Sequence, residues 1–129
     1  MLIDTSGWLC LHHRDELQHL DAVKLFNESH TQITTNYVLA EFVPLASVRG
    51  LPRETALDFT RGIMLDPTVE IVWVDEILHS KAVELLTERN DKGYSLCDAV
   101  SFIVMRERGL TDALTTDRHF SQEGFVKLL

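Results

Sequence analysis

The chain has 129 residues, which suffices for one domain of ordinary size and leaves no room for a second. Hydrophobic residues make up 45% of the chain and charged residues 25%, as is typical of a globular protein rather than a disordered one. A net charge of −8 argues against a protein that binds nucleic acid through bulk positive charge. Metal ions in an acidic site, or a basic partner, would offset part of that charge.

The first half of the chain alternates short apolar runs with amphipathic stretches. In chain order, these predict a strand at 2–3, a helix at 6–13, a helix at 15–29, a strand at 32–34, a helix at 36–49 and a helix at 52–64. Ser6 and Asn36 are the expected N-caps of two of these helices. Gly50 is expected to end one helix and Pro52 to open the next.

The second half continues the same alternation. It predicts a strand at 69–74, a helix that Asp75 caps and that runs to about Arg89, a helix at 95–109, a strand at 113–115 and a fifth strand at 125–128. Strands that alternate with helices indicate a parallel sheet covered by helices on both faces. The predicted fold class is therefore α/β.

Two acidic residues directly follow predicted strands. Asp4 comes after Leu2-Ile3, and Asp117 comes after the strand at 113–115. In parallel α/β sheets, sites lie at the carboxyl ends of strands, near the point where the strand order reverses. Aspartate is also favoured in ordinary turns and helix caps, so each residue taken alone is open to both interpretations.

Glu41 lies in an apolar segment, from Tyr37 to Val43, within a predicted helix. A helix that is apolar on nearly all sides is expected to be buried, and a buried carboxylate needs a cation or hydrogen-bond donors. No Lys or Arg lies three or four residues away on the same helix. We therefore predict that Glu41 is buried and binds a metal ion, with an ion pair or capping contact elsewhere in the chain as the alternative.

Asp98 stands three residues after Ser95, a spacing that resembles a capping box. Its apolar neighbours predict that the start of this helix packs into the protein, where the carboxylate could cap the helix and face a site at once. A cluster of three or four such carboxylates is the ligand set that Mg²⁺ and Mn²⁺ prefer. The four acids lie far apart in the sequence, so only the fold can bring them together.

Four segments resemble the motifs of PIN domains, and they occur in the family's order. They are Leu2-Ile3-Asp4-Thr5-Ser6, Thr35-Asn36-Tyr37-Val38-Leu39-Ala40-Glu41, Ser95-Leu96-Cys97-Asp98-Ala99-Val100-Ser101-Phe102 and Ala113-Leu114-Thr115-Thr116-Asp117-Arg118-His119-Phe120. The resemblance implies one domain over residues 1–129, a three-layer α/β/α sandwich around a mainly parallel sheet of four to five strands. It also implies an endoribonuclease that depends on one or two Mg²⁺ or Mn²⁺ ions.

Residue by residue, the resemblance implies catalytic, metal-binding roles for four acids and supporting roles for two hydroxyls. The acids are Asp4, Glu41, Asp98 and Asp117, and the hydroxyls are those of Ser6 and Thr116. The short form of the domain is most similar to toxins of toxin–antitoxin pairs, the VapC group. Such a protein is expected to bind RNA, to be blocked by an antitoxin protein and to form a homodimer. Arg118 would contact phosphate or an antitoxin acid, or would simply be solvated.

Two other functions remain open from the sequence. The first is a PIN-fold binding module without catalysis. The second is a Mg²⁺-dependent hydrolase of small phosphates, although Asp4-Thr5-Ser6 lacks the second aspartate of the usual nucleophile motif. The absence of a signal-peptide pattern and of an apolar run of roughly 20 residues predicts a cytoplasmic protein without membrane association. Cys10 and Cys97 are predicted to be buried free thiols in a reducing compartment.

Overall fold

A computed structural model describes all residues from 1 to 129 and shows five short strands and seven helices. The strands are β1 (Leu2–Ile3), β2 (Gln32–Thr35), β3 (Val69–Val72), β4 (Asp112–Leu114) and β5 (Val126–Lys127). The helices are α1 (Thr5–His12), α2 (His19–Glu28), α3 (Asn36–Val48), α4 (Arg53–Leu65), α5 (Glu76–Glu88), α6 (Leu96–Glu107) and α7 (Arg118–Gln122). None of the helices is both long enough and apolar enough to cross a membrane.

The strands form a single parallel sheet with the order β3-β2-β1-β4-β5. From β1 the chain moves outward through β2 to β3, and it then returns to place β4 on the other side of β1. Leu2 consequently pairs with Ile33 on one side and with Ala113 on the other. The strand order therefore reverses between β1 and β4, where such sheets form their binding sites.

Helices cover both faces of the sheet. Neighbouring residues of a strand point to opposite faces, so each strand contributes side chains to two separate cores. Leu2 and Ala113 belong to a core shared with α5, α6 and α7, whereas Ile3 and Leu114 belong to a core shared with α1 to α4. The predicted three-layer α/β/α sandwich is thus confirmed, with five strands that are all parallel. Cys10 and Cys97 are buried and unpaired, also as predicted.

Gly7 determines how closely α1 approaches β4. A Cβ atom at this position would lie 2.1 Å from the carbonyl oxygen of Leu114, far inside van der Waals contact. Only glycine permits this approach, which places the first turn of α1 against the end of β4. The residues that follow β1 and those that follow β4 are therefore next to each other.

Three helix starts differ from the sequence-based prediction. α1 begins at Thr5 with Asp4 as its N-cap residue, so Ser6 lies inside the helix. α2 begins at His19 and not near residue 15, because Leu17, which contributed to the helical pattern, is 96% exposed and packs against nothing. α3 is capped by Thr35 and not by Asn36.

The displaced cap of α3 has a physical reason. The Thr35 hydroxyl accepts a hydrogen bond from the backbone N–H of Val38 at 3.2 Å, which satisfies one of the free donors of the first turn. The Asn36 side chain is engaged elsewhere, since its Oδ1 accepts from the N–H of Val74 at 2.8 Å. Asn36 thereby ties the start of α3 to the segment that follows β3.

Candidate metal centre

Asp4 occupies the switch point of the sheet. It follows β1 directly, and its backbone N–H donates to the carbonyl oxygen of Leu114 in β4 at 3.2 Å. The residue is only 5% exposed. Its Oδ2 accepts hydrogen bonds from the hydroxyls of Thr115 at 3.1 Å and Ser6 at 3.5 Å. Donors from the two central strand ends therefore fix the orientation of this carboxyl group.

Thr115 is the residue that joins the two strand ends. It is completely buried, and its Oγ1 lies 3.0 Å from Ser6 Oγ and accepts from the backbone N–H of Asp117 at 3.0 Å. Ser6, expected as a supporting hydroxyl, is part of this network. For Thr116, the other hydroxyl expected, the contact is made by its backbone N–H, which donates to Ser6 Oγ at 3.0 Å. The hydroxyl that contacts Asp4 from this loop is that of Thr115.

Asp98 lies in the first turn of α6. The sequence left open whether it caps the helix or faces a site, and it does both. It forms a capping box with Ser95, in which Asp98 Oδ2 accepts from the Ser95 N–H at 2.9 Å and Ser95 Oγ accepts from the Asp98 N–H at 3.0 Å. The same Oδ2 lies 3.1 Å from Nδ1 of His119. Asp98 is therefore a helix cap whose carboxylate also faces the site.

Asp117 is the N-cap residue of α7. Its Oδ1 accepts from the backbone N–H of His119 at 2.9 Å, and its Oδ2 lies 3.3 Å from Nδ1 of the same residue. Ligand atoms of Asp98, Asp117 and His119 all lie within 4.8 Å of one another, which is close enough to share one metal ion. The structure thus brings the third and fourth predicted acids together and adds an imidazole between them.

Glu41 lies on the exposed side of α3, which corrects the prediction that it is buried. The helix buries Val38 and Phe42, but Glu41 faces outward together with Ala40 and Pro44. Alanine and proline made this exposed stripe look apolar in the sequence. The carboxylate is nevertheless held, because the Thr5 hydroxyl donates to Glu41 Oε2 at 3.0 Å.

Cys97 connects Glu41 to the other acids. Burial raises the pKa of its thiol, and the carboxylates of Glu41, Asp4 and Asp98 raise it further. A thiol beside three carboxylates stays protonated and unreactive, and its surroundings show that Glu41 borders the cluster.

The charges of the cluster are not balanced within the chain. Burial raises the pKa of Asp4 to about 7, and the negative charges of Asp98 and Asp117 push it in the same direction. Burial also raises the pKa of Asp98, with Asp117 contributing, although the hydrogen bonds from Ser95 and His119 work against the shift. No Lys or Arg forms an ion pair with Asp4, Asp98 or Asp117. Such a group of acids becomes fully ionised when a cation neutralises it.

Sequence reasoning missed the roles of Thr115, His119 and Cys97. Thr115 and Thr116 are adjacent hydroxyl residues, and only the exact end of β4 decides which one points to Asp4. His119 follows Asp117 by two residues, but it matches no zinc-binding spacing. The signal available in the sequence was the proximity of His119 to a strand-end acid.

The fold and the site together define a class of protein, a parallel α/β domain that clusters carboxylates for divalent cations at its topological switch point. The PIN domain family matches residues 1–125 of the chain. This match covers nearly the whole sequence, and the chain therefore belongs to the PIN-domain family. The resemblance seen in the four acidic motifs is thus confirmed.

Individual proteins of the family are similar along the whole chain. The 23S rRNA-specific endonuclease VapC20 of Mycobacterium tuberculosis, from strains CDC 1551 / Oshkosh and ATCC 25618 / H37Rv, is 32% identical over 129 residues. The alignment covers 99% of this chain and 97% of the relative. The crystal structure of M. tuberculosis VapC20, described as a sarcin-ricin loop cleaving toxin, matches with a TM-score of 0.89 at 31% identity, over 98% of this chain and 96% of that one.

Proposed function

We propose that this protein is a metal-dependent endoribonuclease that hydrolyses RNA phosphodiester bonds and acts as the toxin of a toxin–antitoxin pair. The observation that carries the proposal is the convergence of Asp4, Asp98 and Asp117 at one point of the sheet, where burial and mutual repulsion raise the pKa of Asp4 and Asp98. The similarity to VapC20 over the full chain supports the same enzyme class.

The residues fit a divalent cation by their chemistry. Carboxylate oxygens are the ligands that Mg²⁺ and Mn²⁺ prefer, and the raised pKa of two of these acids marks a place that lacks positive charge. We assign Asp4, Asp98 and Asp117 as the direct ligands. Glu41, at the exposed border, would hold a second ion or a water molecule bound to the first. Whether one or two ions bind, and which of Mg²⁺ and Mn²⁺ is used, are parts of this proposal.

A divalent cation bound there would lower the pKa of a coordinated water molecule and offset the charge that builds up on the phosphate during hydrolysis. The chain prepares the carboxylates for this role with fixed donors. The Thr115 hydroxyl holds Asp4, the Ser95 N–H holds Asp98 and the Thr5 hydroxyl holds Glu41. No side chain of the chain is expected to act as the nucleophile.

Glu41 is suited to handle a proton at the solvent side of the site. Its Oε2 is engaged by Thr5, whereas Oε1 makes no hydrogen bond within the chain. That free oxygen can accept a hydrogen bond from the attacking water and orient it towards the phosphate. The exposed position of Glu41, which contradicted the sequence-based prediction, is what this role requires.

We propose that Arg118 contacts the RNA backbone. It is the first residue of α7, directly after Asp117, and it is exposed with no ion pair. A guanidinium group can bind two phosphate oxygens at once. We expect Arg118→Ala to weaken RNA binding. The control Arg53→Ala should have no effect, because Arg53 is also exposed and unpaired but lies at the start of α4, which carries none of the site acids.

RNA cleavage with added metal tests the proposal directly. Because the relatives are 23S rRNA-specific endonucleases, intact ribosomes and naked 23S rRNA are the first substrates, each incubated with Mg²⁺, Mn²⁺ or EDTA. We expect endonucleolytic cleavage with metal and none with EDTA. Asp4→Asn should lower the rate at least about 100-fold, since losing even an outer-shell partner of a metal costs about 10–100-fold.

The control for this test is Asp15→Asn. Asp15 is exposed in the turn before α2 and forms no ion pair, so its removal should leave cleavage unchanged. Equal cleavage by wild type and Asp4→Asn, or no cleavage by the wild type with any metal on any RNA, would contradict the proposal. Turnover of small phosphate esters without RNA cleavage would favour the hydrolase alternative instead.

We further propose an antitoxin partner and a homodimer. The full-length similarity to VapC20 supports a partner of this kind, and large exposed hydrophobic side chains such as Trp73, at 62% exposure, and Ile77, at 67%, provide apolar surface for contacts between proteins. Light scattering after size exclusion should give twice the monomer mass. A monomer at all concentrations would contradict the dimer. Cell growth that stays normal on expression, with active protein present, would contradict the toxin role.

A further inference from the structure

His119 is the one residue with a nitrogen donor atom among the acids of the site. Its Nδ1 lies 3.1 Å from Asp98 Oδ2 and 3.3 Å from Asp117 Oδ2, and the three residues can place their ligand atoms within 4.8 Å of one another. One edge of the imidazole is thus aimed at the space between two carboxylates that belong to different helices.

These separations match the spacing of ligands around one ion. In octahedral coordination with bonds of about 2.1 Å, neighbouring ligand atoms lie about 3 Å apart. The two distances from His119 Nδ1 are of this size. A cation beside Nδ1 could therefore replace the present contacts between His119 and the acids with only small shifts of the three side chains.

The ring of His119 is held in this orientation from two sides. Tyr94 packs edge-to-face against it with ring centroids 5.2 Å apart, and Tyr94 is itself buried. The backbone N–H of His119 donates to Asp117 Oδ1, so the residue is fixed to the same acid that its ring faces. A Cβ built on Gly93 would lie 3.8 Å from Nε2, which places the other ring nitrogen on the side of the loop before α6. In the metal-free protein Nδ1 contacts carboxylate oxygens and therefore carries the proton. A bound cation would take the place of that proton, which would then lie on Nε2, so that the lone pair of Nδ1 would face the ion.

We propose that His119 Nδ1 is a direct metal ligand, together with Asp98 and Asp117, and that it makes the site select Mn²⁺ over Mg²⁺. The proposal rests on the metal-dependent function proposed above and specifies the metal for it. Imidazole nitrogen binds transition-metal ions well, whereas Mg²⁺ prefers oxygen ligands and gives up its water reluctantly. Replacing one oxygen ligand by nitrogen therefore shifts the preference towards Mn²⁺.

Pulsed electron paramagnetic resonance of the Mn²⁺-loaded protein tests the assignment, because it detects a nitrogen nucleus bonded to the metal. We expect a ¹⁴N coupling in the wild type and in the control His12→Gln, whose imidazole packs on Phe59 away from the acids. His119→Gln should lose the coupling. In calorimetric titrations its Mn²⁺ affinity should fall about 10–100-fold, with a much smaller change for Mg²⁺.

His119→Asp replaces the imidazole with an oxygen ligand at the same position, and it provides a second variant in case His119→Gln does not fold. It should bind Mn²⁺ without the ¹⁴N coupling and bind Mg²⁺ at least as well as the wild type does. Mn²⁺ binding by the wild type without a ¹⁴N coupling would overturn the assignment, as would equal losses of Mn²⁺ and Mg²⁺ affinity in His119→Gln. If RNA is still cleaved in either case, the nuclease function stands and only the ligand role fails. If no metal binds the wild type, both proposals fail.

Discussion

The short helix α7 carries a carboxylate at each end, and the two ends are built in opposite ways. At its start, Asp117 joins Asp4 and Asp98, and the only basic side chain in contact is His119. At its end, Glu123 has a side chain that is 4% exposed and pairs with two arginines, Arg89 at 3.2 Å and Arg106 at 2.7 Å. The start of α7 thus has three carboxylates and one basic side chain, whereas its end has one carboxylate and two arginines.

The pKa shifts at the two ends have opposite signs although burial acts in the same direction at both. Burial raises the pKa of Asp4 to about 7, and nothing nearby offsets it fully. Burial also works to raise the pKa of Glu123, but the hydrogen bonds from Arg106 and Arg89 outweigh it, so the pKa of Glu123 is lowered. The surroundings, and not burial alone, therefore decide which carboxylate is stable as an anion.

This difference separates a structural carboxylate from a binding one. The Glu123 cluster joins the ends of α5, α6 and α7, so it fixes the helix that follows Asp117. The acids at the start of α7 have no such balance, and in the function proposed above a divalent cation would offset their repulsion. A helix of five residues is thus anchored at one end and left free to bind at the other.

The largest expected effect is a loss of stability with rising pH in the metal-free protein. The pKa of Asp4 is about 7 when folded and near 3.8 when unfolded, so between these values the folded state holds a proton that the unfolded state has released. Stability falls as pH rises through this window and stays low above pH 7. A shift of about three pKa units lowers the free energy of unfolding above pH 7 by on the order of 4 kcal/mol.

Urea denaturation of wild type and Asp4→Asn in EDTA, at several pH values from 4 to 8, measures this effect by difference. The two proteins should have similar stability near pH 4, and Asp4→Asn should be the more stable one near pH 8. Added Mn²⁺ should stabilise the wild type near pH 8 and should stabilise Asp4→Asn much less. If the difference in unfolding free energy between the two proteins did not change with pH, the raised pKa of Asp4 would be contradicted, and with it the contrast between the two ends of α7.

The second-largest effect is expected at Gly7, where α1 lies close to β4 and brings Asp4 next to the residues that follow β4. Gly7→Ala would place a Cβ atom 2.1 Å from the Leu114 carbonyl oxygen and 3.2 Å from the Ile3 side chain, so α1 must move away from β4. We expect a loss of about 3 kcal/mol, at the upper end for overpacked sites, together with weaker cleavage. Gly62→Ala is the matched control, because nothing lies within 4 Å of its added Cβ atom in α4. It should be neutral or stabilise by up to about 1 kcal/mol. Equal behaviour of the two variants in thermal unfolding would contradict the argument.

The sequence supplied more of the acidic end than of the balanced end. Asp4 and Asp117 could be recognised because each follows an apolar strand, and Asp98 because its neighbours in the helix are apolar. Their order along the chain matched the PIN family. Their actual convergence depends on β4 pairing with β1, a long-range contact that no local pattern encodes.

What the sequence could not supply depends on single-residue geometry. The choice between Thr115 and Thr116 depends on where β4 ends, because a shift of one residue turns a side chain to the opposite face. Glu41 was expected to be buried because small apolar neighbours concealed an exposed stripe of α3. No sequence pattern indicated that Glu123 pairs with two arginines, and α7 was too short for its pattern to be read as a helix.

A smaller effect is expected at the balanced end. Glu123→Gln removes the charge that both arginines share, which leaves Arg106 without a counter-ion and Arg89 with only Glu88, at 3.9 Å. We expect a loss of about 2 kcal/mol, less than for a fully buried pair, because both arginines remain partly in water. Urea denaturation at pH 7 measures it. Metal binding should change little as long as the variant is folded, in contrast to Asp4→Asn. Unchanged stability would show that the cluster does not anchor α7.

The smallest effect is expected when one of the two arginines that share the Glu123 carboxylate is removed. Arg106→Gln removes one partner of Glu123 and a contact with the Phe125 ring at 5.3 Å, but Arg89 still neutralises the carboxylate. Because Arg106 is nearly half exposed, the loss should be only about 0.5–1 kcal/mol, with RNA cleavage unchanged. A loss as large as that of Glu123→Gln would mean that Arg89 contributes nothing. The end of α7 would then depend on the single ion pair between Arg106 and Glu123.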